Sequence, residues 1–428
     1  MKHITKVQEL MKILDMKENV FGNHDSSQKM IYHVDNFRAF LEKRYDDVKP
    51  VCVEVVPSIK CNFSCPSCTY RQNGSKSEPV TGENGSKGFM SKSTFERIID
   101  GLIDLGTRSV IITGGGEPTL NPLYLDFIRQ AKKSFDVGLY TNCSLIENDI
   151  SSLIGSNLNF VRMSMNAGDA DTHRIMYGVE GKFDAVKNNA IAMGKRRIEV
   201  YGKNKGPTLG LGFILGPRNS SDEQLENIAK TLIEMYNLSE GGLDYAAIRP
   251  EVQYFTQNPD TGVLEIAKQQ PNAEMFQDLY ERLERIVKEP VKKEGLQILL
   301  NKDGFEQLSK PYHDQRNIAA PWSISFDYDG ISHSASEANG NPRYSLTDDP
   351  VENLVNVWNS ARKKDVMAKM ASDISDPNHM PIFPNYKLQN MNEKLIEIQR
   401  LGQFSKEEID LFYSKIDLSN PPAHVNFI

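Results

Sequence analysis

The sequence has few cysteines, no long apolar run and no excess of basic residues. Its 428 residues include only five cysteines, and an odd number without a secretory leader argues against a disulfide framework. No stretch approaches the ~18 consecutive apolar residues of a membrane-spanning helix. The net charge of −7 disfavours the basic face of a nucleic-acid-binding protein. We therefore expect a globular cytoplasmic protein with no nucleic-acid or membrane partner.

Six short apolar runs alternate with amphipathic stretches between residues 51 and 250. This rhythm predicts βα units and a parallel sheet. The predicted strands are 51–56, 110–112, 137–140, 160–165, 209–215 and 243–248. Six units are fewer than the eight of a closed barrel. We therefore predict an α/β fold with a partial, open (β/α)6 barrel, whose working face is the edge where the strands end.

The helices between these strands have recognisable ends. Ser93 and Glu96 have the spacing of a capping box, and Gly106 is placed to end the helix that follows. Ser221 and Gln224 repeat the capping-box spacing before a second helix. These signals support the alternation of strands and helices.

The pattern differs on either side of the barrel. We predict an N-terminal helical segment over 1–48, the barrel over 49–250 and a C-terminal α+β extension over 251–428. The extension is predicted to contain a helix at 273–287, a strand at 296–300, a hairpin turning at Asp329-Gly330, and helices near 351–370, 391–400 and 405–416. Residues 71–90 are rich in Gly, Ser, Lys and Glu and predict a surface loop.

Three of the cysteines, Cys61, Cys65 and Cys68, lie in the segment CNFSCPSC, directly after the first predicted strand. Three thiolates can bind three irons of a 4Fe–4S cluster and leave the fourth iron free for another ligand. A structural zinc site normally has four protein ligands, and a three-ligand catalytic site usually includes histidine. The segment supplies neither, so a cluster is the favoured interpretation, with zinc or coincidence as alternatives.

Glycines and polar residues follow the later strands. The second strand ends in Thr-Gly-Gly-Gly-Glu-Pro (113–118), where the glycines let the backbone approach a ligand and Glu117 can accept a hydrogen bond from an ammonium. An ordinary βα turn is the alternative. Asn142, Ser164 and Asn166 follow the third and fourth strands, where polar side chains suit a ribose or carboxylate, or simply cap a loop.

The cysteine spacing and the glycine-rich turn, in this order, resemble the radical S-adenosylmethionine (SAM) superfamily over residues 51–250. The resemblance implies one 4Fe–4S cluster on Cys61, Cys65 and Cys68, whose fourth iron binds the amino and carboxylate groups of SAM. Reductive cleavage of SAM then releases a 5′-deoxyadenosyl radical that abstracts hydrogen from a substrate. The implied SAM contacts are Gly115, Gly116, Glu117, Pro118, Asn142, Ser164 and Asn166. Arg174 is a further candidate, for the methionyl carboxylate, with a solvated helix residue as the alternative.

Two positions depart from the family pattern. Ser67 stands where an aromatic or bulky apolar residue usually precedes the last cysteine, and Asn166 stands where Asp is common. The C-terminal stretch from Phe326 to Trp358 resembles a SPASM or Twitch domain, which binds auxiliary clusters through cysteines. This sequence has no cysteine after Cys143. We therefore predict a SPASM-like domain without an auxiliary cluster.

Without an auxiliary cluster to accept an electron, a redox-neutral outcome is favoured: epimerisation, rearrangement or elimination. Dehydrogenation is the alternative. Epimerisation needs a hydrogen-atom donor, and Cys143, after the third strand, is the candidate; a small residue filling a turn is the competing interpretation. Cys52, early in the first strand, is predicted to be a buried structural thiol.

These observations together predict a radical SAM enzyme that acts on a small molecule, for example a carbohydrate-like one. Residues 1–48 are short for a peptide-binding domain, which disfavours a peptide-modifying enzyme. A non-catalytic iron–sulfur carrier or maturation protein is the other alternative, although a carrier has no need of a SAM pocket. The expected partners are the substrate and an electron donor such as flavodoxin or ferredoxin.

Overall fold

The computed structural model describes residues 2–14, 26–68, 88–251, 255–257, 264–266, 273–300, 305, 316–334, 344–371 and 388–428. The chain forms two compact units. Unit 1 contains residues 1–54, 93–110 and 314–428, and unit 2 contains residues 55–92 and 111–313. The division falls within strands β1 (Cys52–Val55) and β2 (Ser109–Ile112). The predicted division at residues 48 and 250 stays a prediction.

Unit 1 is mainly helical. Its helices are α1 (Lys2–Ile13), α2 (Ser26–Lys29), α3 (Val34–Leu41), α4 (Lys92–Leu105), α12 (Leu354–Trp358), α13 (Ala361–Ala371), α14 (Gln389–Arg400) and α15 (Lys406–Tyr413). Helix α4 buries the apolar stripe that includes Ile98, Ile99 and Leu102, and it ends before Gly106, whose φ of +77° suits glycine. The predicted helical segments at both ends of the chain are therefore present.

The predicted hairpin of unit 1 is confirmed. Strands β10 (Ser323–Phe326) and β11 (Ser332–His333) pair antiparallel, and they stand beside β1 in the order β11, β10, β1. The turn is closed by a hydrogen bond from Gly330 N to Asp327 O (2.9 Å). Gly330 has a φ of +90°, which a residue with a side chain rarely adopts. Cys52 in β1 is buried, as predicted.

Unit 2 is built on a parallel sheet. Its strands β3 (Asp136–Thr141), β4 (Phe160–Ser164), β5 (Thr208–Leu215), β6 (Tyr245–Pro250) and β9 (Gln297–Leu300) follow β2 in that order. Every pair from β3 to β9 is parallel. All six predicted strands of the barrel are present and the sheet is not closed, so the partial barrel is confirmed. A separate antiparallel pair joins β7 (Phe255–Gln257) to β8 (Leu264–Ile266).

The helices of unit 2 follow the strands. They are α5 (Tyr124–Ala131), α6 (Ile150–Gly155), α7 (Ala170–Tyr177), α8 (Phe183–Tyr201), α9 (Asp222–Leu238), α10 (Ala273–Leu283) and α11 (Glu289–Glu294). The capping box at Ser221 and Gln224 is present at the start of α9, which buries Leu225, Ile228 and Leu232. Apolar faces of this kind cover the sheet and produce the alternation seen in the sequence.

The helix predicted over 273–287 is longer and less regular than expected. Helices α10 and α11 are joined by one π-helical turn, Glu284–Lys288. Pro290 lies two residues after this turn and has no N–H to donate to it, so a wider turn accommodates the proline. Across the described ranges, no helix is long and apolar enough to cross a membrane. Residues 69–87 of the predicted surface loop lie outside the described residues.

Candidate functional site

The three clustered cysteines lie in unit 2, in the loop after β1. Cys61, Cys65 and Cys68 form no disulfide among the described residues, and each is partly exposed. Two main-chain hydrogen bonds shape the loop: Phe63 N donates to Cys61 Sγ (3.4 Å), and Cys68 N donates to Cys65 O (3.2 Å). An N–H that points at sulfur favours the thiolate, which is the form that binds iron. Three such thiolates can each bind a different iron of a 4Fe–4S cluster.

The glycine-rich turn after β2 packs directly against the residues that lead into the cysteine loop. Gly116 N donates to Ser58 O (2.9 Å), and Glu117 N donates to Lys60 O (2.7 Å). A Cβ atom at Gly116 would lie 2.0 Å from Lys60 O, and one at Gly114 would lie 2.0 Å from Gly116 O. Gly116 is therefore required for the close approach of the two backbones, and Gly114 is required for the tight turn itself. The turn thus determines where residue 60 lies and where the loop begins.

Glu117 joins the ends of β2 and β3. The carboxylate is buried, and its Oε1 accepts hydrogen bonds from Thr141 Oγ1 (2.6 Å), Thr119 Oγ1 (2.8 Å) and Thr119 N (3.2 Å). Its Oε2 accepts a bond from Asn142 N (2.7 Å). Burial raises the pKa of Glu117, and these hydrogen bonds oppose the rise. The side chain is therefore a brace between strand ends, in addition to being the predicted acceptor for an ammonium.

A closed ring of three polar side chains joins the cysteine loop to the end of β3. Asn62 Nδ2 donates to Ser144 Oγ (2.8 Å), Ser144 Oγ donates to Asn142 Oδ1 (2.8 Å), and Asn142 Nδ2 donates to Asn62 Oδ1 (2.8 Å). Each of the three side chains donates one hydrogen bond within the ring and accepts one, so the ring closes with every member paired. Asn62, the residue after Cys61, is thereby held by residues 80 positions away.

An aromatic cluster lies on the other side of the same loop. The ring of Tyr177, at the end of α7, is 4.8 Å from that of Phe63 and 4.4 Å from that of His173. His173 and Tyr177 are buried, and their Nε2 and Oη atoms have no hydrogen-bond partner within the described ranges. Burial lowers the pKa of His173 to about 4 and raises the pKa of Tyr177.

The remaining predicted residues are not all directed at the loop. Ser164 is partly buried at the end of β4, and Arg174 is exposed on α7. Asn166 has a φ of +52°, and its Oδ1 accepts a hydrogen bond from Ile214 N (2.8 Å), so its side chain supports β5. The Cys143 side chain is fully buried. That burial favours a small residue filling a turn, and the role of hydrogen-atom donor stays a prediction.

Sequence reasoning did not single out Asn62, Thr141, Ser144 or Tyr177. Only Asn62 carried a local signal, since it adjoins Cys61. The other three become visible only when the strand ends and α7 meet at the loop.

The residues present fit an iron–sulfur cluster. Three thiolates share one short loop, a main-chain N–H already points at one of the sulfurs, and a buried hydroxyl without a described partner lies behind the loop. Within the part of the chain that the structure describes, no three Cys, His, Asp or Glu side chains converge at the spacing of a single metal ion. In a 4Fe–4S cluster the cysteines bind different irons, so such convergence is not required.

The model of the Radical SAM superfamily matches residues 55–232. Residues 55–232 are a radical SAM domain. The radical SAM fold implies a 4Fe–4S cluster and SAM. The matched range includes the cysteine loop, the glycine-rich turn, the polar ring and the aromatic cluster, which are all in unit 2.

Curated relatives are similar to part of the chain, with an identity of 27–30% over the matched residues. The GTP 3′,8-cyclase of Cronobacter sakazakii is 30% identical over 150 residues, which are 31% of this chain and 44% of that protein. A cofactor-modifying protein for the tungsten-containing aldehyde ferredoxin oxidoreductase of Pyrococcus furiosus is 27% identical over 180 residues, 41% of this chain and 46% of that protein. The chain thus spans less than half the length of these relatives.

Solved radical SAM structures share the fold over most of the chain. SuiB of Streptococcus suis, bound to SAM, superposes with a TM-score of 0.54 and 14% identity, covering 86% of this chain and 78% of SuiB. The structure of anSMEcpe with bound SAM gives a TM-score of 0.51 and 12% identity, covering 86% of this chain and all of anSMEcpe, 100%. At these identities the likeness is one of fold. The resemblance of the C-terminal stretch to a SPASM domain stays a prediction.

Proposed function

We propose that the chain is a radical SAM enzyme whose cluster is held by Cys61, Cys65 and Cys68. The observation that carries the proposal is the meeting of the three-cysteine loop with the glycine-rich turn at the ends of β1 and β2 in unit 2. When bound and reduced, a cluster on these three cysteines would supply the electron for cleavage of SAM to methionine and a 5′-deoxyadenosyl radical, the species that would take a hydrogen atom from the substrate.

The chain's own residues would bind and orient SAM. The proposed contacts are Gly115, Gly116, Glu117, Pro118, Asn142, Ser164, Asn166 and Arg174. The Glu117 carboxylate and the Asn142 amide are already bonded to protein atoms, so a contact of either side chain with SAM would share or replace these hydrogen bonds. Arg174 is exposed, so a contact with the methionyl carboxylate requires its long side chain to reach the site from the surface of α7.

A small-molecule substrate is the first candidate. Relatives of the radical SAM domain include GTP 3′,8-cyclases, which by name act on a nucleotide. The sequence contains no cysteine after Cys143 for an auxiliary cluster. We therefore propose a redox-neutral reaction on a small molecule, with nucleotides and carbohydrates as the first substrates to test, and dehydrogenation is the alternative outcome.

A peptide substrate is the second candidate. SuiB, which has the same fold, has been solved with its precursor peptide SuiA. A peptide could enter the same kind of open barrel, because a partial barrel leaves its edge strands apart. A carrier or maturation protein without turnover is the third candidate, and it is separated from the other two by the absence of SAM cleavage.

The proposed partners are the substrate and a one-electron donor such as flavodoxin or ferredoxin. Partly exposed thiolates and an iron–sulfur cluster persist best under reducing conditions, which favours a cytoplasmic location.

The test is anaerobic reconstitution with iron and sulfide, addition of SAM and dithionite, and chromatography of 5′-deoxyadenosine. The triple variant Cys61→Ala, Cys65→Ala, Cys68→Ala is compared with Cys52→Ala, which removes a buried thiol of β1. We expect 5′-deoxyadenosine from the native chain and from Cys52→Ala, and none from the triple variant. A native chain that binds SAM and four irons but forms none with any substrate pool would indicate a carrier, and a chain that binds zinc would overturn the proposal.

A further inference from the structure

The hydroxyl of Tyr177 is a buried donor that nothing in the described part of the chain uses. The residue is 3% exposed, and its Oη has no hydrogen-bond partner among the described residues. A buried hydroxyl without a partner is costly, because it gave up its hydrogen bonds to water on folding. A buried hydroxyl of this kind calls for an explanation, and a bound group beside it is one.

Tyr177 is fixed against the cysteine loop by its main chain as well as by its ring. Its carbonyl accepts a hydrogen bond from Ser64 N (2.8 Å), and its ring packs 4.8 Å from that of Phe63. Gly178 ends α7 with a φ of +63°, and a Cβ atom there would lie 2.6 Å from Ser64 O. The end of α7 is therefore built to lie against residues 63 and 64, between the first two cysteines.

The groups that raise the pKa of Tyr177 include two residues of the cysteine loop. Burial is the main cause of the rise, and the ionised forms of Cys65, Cys143, Cys61 and Glu117 would raise it further, in that order. Cys61 and Cys65, two of the three proposed cluster ligands, flank Phe63 and Ser64, against which Tyr177 packs. Because the pKa of Tyr177 is raised, its hydroxyl stays protonated at neutral pH and is a buried donor beside the cysteine loop.

We propose that the Tyr177 hydroxyl donates a hydrogen bond to a sulfur of the iron–sulfur cluster, either a cysteine thiolate or a bridging sulfide, and thereby makes the cluster easier to reduce. This inference rests on the proposed function, since it requires the cluster. Reduction adds negative charge to the sulfurs, and a hydrogen bond stabilises the reduced form more than the oxidised form. Tyr177 is a tuning residue rather than a ligand.

The test compares Tyr177→Phe with Tyr201→Phe. Phenylalanine keeps the ring that packs on Phe63 and removes only the hydroxyl. Tyr201 is the matched control, because its hydroxyl also donates within unit 2, to Ile154 O (3.0 Å), but it takes no part in the aromatic cluster. Each chain is reconstituted, its iron is counted, and the midpoint potential of the cluster is measured by redox titration followed by electron paramagnetic resonance.

We expect Tyr177→Phe to bind as much iron as the native chain and to show a more negative midpoint potential, with Tyr201→Phe unchanged. In D2O, electron–nuclear double resonance on the reduced cluster should show one coupled exchangeable deuteron fewer in Tyr177→Phe. An unchanged potential together with an unchanged deuteron signal would overturn the inference.

A second variant covers the case in which Tyr177→Phe does not take up iron. Difluorotyrosine at position 177 keeps the shape and strengthens the donor, so it should shift the potential in the positive direction; no shift would equally overturn the inference. Failure of the native chain itself to bind iron would instead contradict the proposed function. The two failures are therefore distinguished by the iron count of the native protein.

Discussion

The Glu117 side chain connects two strand ends at this site. Four hydrogen bonds converge on its carboxylate from two strand ends, and all four donors are N–H or O–H groups of the protein. A carboxylate can accept all four, because it has only acceptor sites. An amide cannot, since one of its two terminal atoms is a donor.

The prediction is that Glu117→Gln lowers the free energy of unfolding by about 1–3 kcal/mol, the usual cost of a buried polar group left without its partner. Glu234→Gln is the control, because Glu234 is half-exposed and forms only a surface pair with Lys187 (3.2 Å). Urea unfolding of the two variants and the native chain measures the difference. Equal stability of both variants would show that the carboxylate is not a brace.

Single residues also mark the limit of what sequence reasoning can find. Glu117 was predicted as an acceptor for an ammonium, and its second role depends on Thr141, which is 24 positions away. The spacing of apolar residues, every two in a strand or every 3.6 in a helix, contains no information about a contact between residues so far apart in the chain. The same holds for Tyr177, which in the sequence is one more aromatic residue near the end of a helix.

At the scale of elements, the ring formed by Asn62, Asn142 and Ser144 connects the cysteine loop to β3. A loop that binds a cluster must keep its thiolates in place when the cluster is absent, and the ring is a contact that does so without any metal. Removing one member leaves the other two with unsatisfied groups in a partly buried position.

We predict that Asn62→Ala, after reconstitution, releases iron to a chelator several-fold faster than the native chain. The matched control is Asn227→Ala, which removes an amide that donates to Asp169 Oδ2 (3.2 Å) elsewhere in unit 2. The measurement is the anaerobic rate of iron release followed by absorbance of the chelate. Equal rates for the native chain and Asn62→Ala would show that the ring does not hold the loop.

A second link between elements is a buried ion pair. The Arg197 guanidinium on α8 is almost fully buried and pairs with Asp244 ahead of β6. Asp244 Oδ2 also accepts a hydrogen bond from Leu209 N (2.7 Å) in β5. The pair therefore connects one helix to two strands at the edge where the strands begin, which is the opposite edge from the cysteine loop.

Asp244→Asn should cost roughly 3–5 kcal/mol of unfolding free energy, because it leaves a buried guanidinium without its counter-charge. Glu199→Gln breaks the exposed pair with Arg196 and should cost at most about 1 kcal/mol. Chemical denaturation of the two variants tests the contrast. A loss for Asp244→Asn as small as that for Glu199→Gln would contradict it.

The elements themselves were largely predictable from the sequence. Apolar runs located all six barrel strands, and Ser221 with Gln224 located the start of α9, because burial and capping are local requirements. The π turn before Pro290 was not predicted. We attribute it to the missing N–H of the proline, and the spacing of apolar residues does not depend on that group. The sheet order, with β9 beside β6, also depends on pairing between distant segments.

At the scale of the whole molecule, stability should depend on pH through His33 in unit 1. Its Nε2 donates a hydrogen bond to Val425 O (3.1 Å). Burial lowers the pKa of His33 to about 4; this hydrogen bond opposes the shift, and the positive charges of Arg108 and Lys29 add to it. The folded pKa lies below the ordinary 6.5, so the unfolded chain takes up the proton first as the pH falls. Stability is therefore complete above about pH 6.5 and is lost progressively toward pH 4.

From pH 7 to pH 5.5 the His33 contribution to unfolding free energy should fall by about 1 kcal/mol. His33→Gln can still donate to Val425 O but does not titrate, so it should lack this part of the pH dependence. Urea unfolding of both chains at the two pH values gives the difference. A His33→Gln variant with the same pH dependence as the native chain would contradict the assignment.

The central claim concerns the whole chain as a cluster-binding protein, and iron content tests it most directly. Each of Cys61, Cys65, Cys68, Cys52 and Cys143 is replaced singly by alanine, and the reconstituted variants are assayed for iron, zinc and sulfide. The account predicts about four irons per native chain, a large loss in the first three variants, and no loss in Cys52→Ala and Cys143→Ala. Bound zinc in place of iron, or full iron retention in Cys61→Ala, Cys65→Ala and Cys68→Ala, would contradict it.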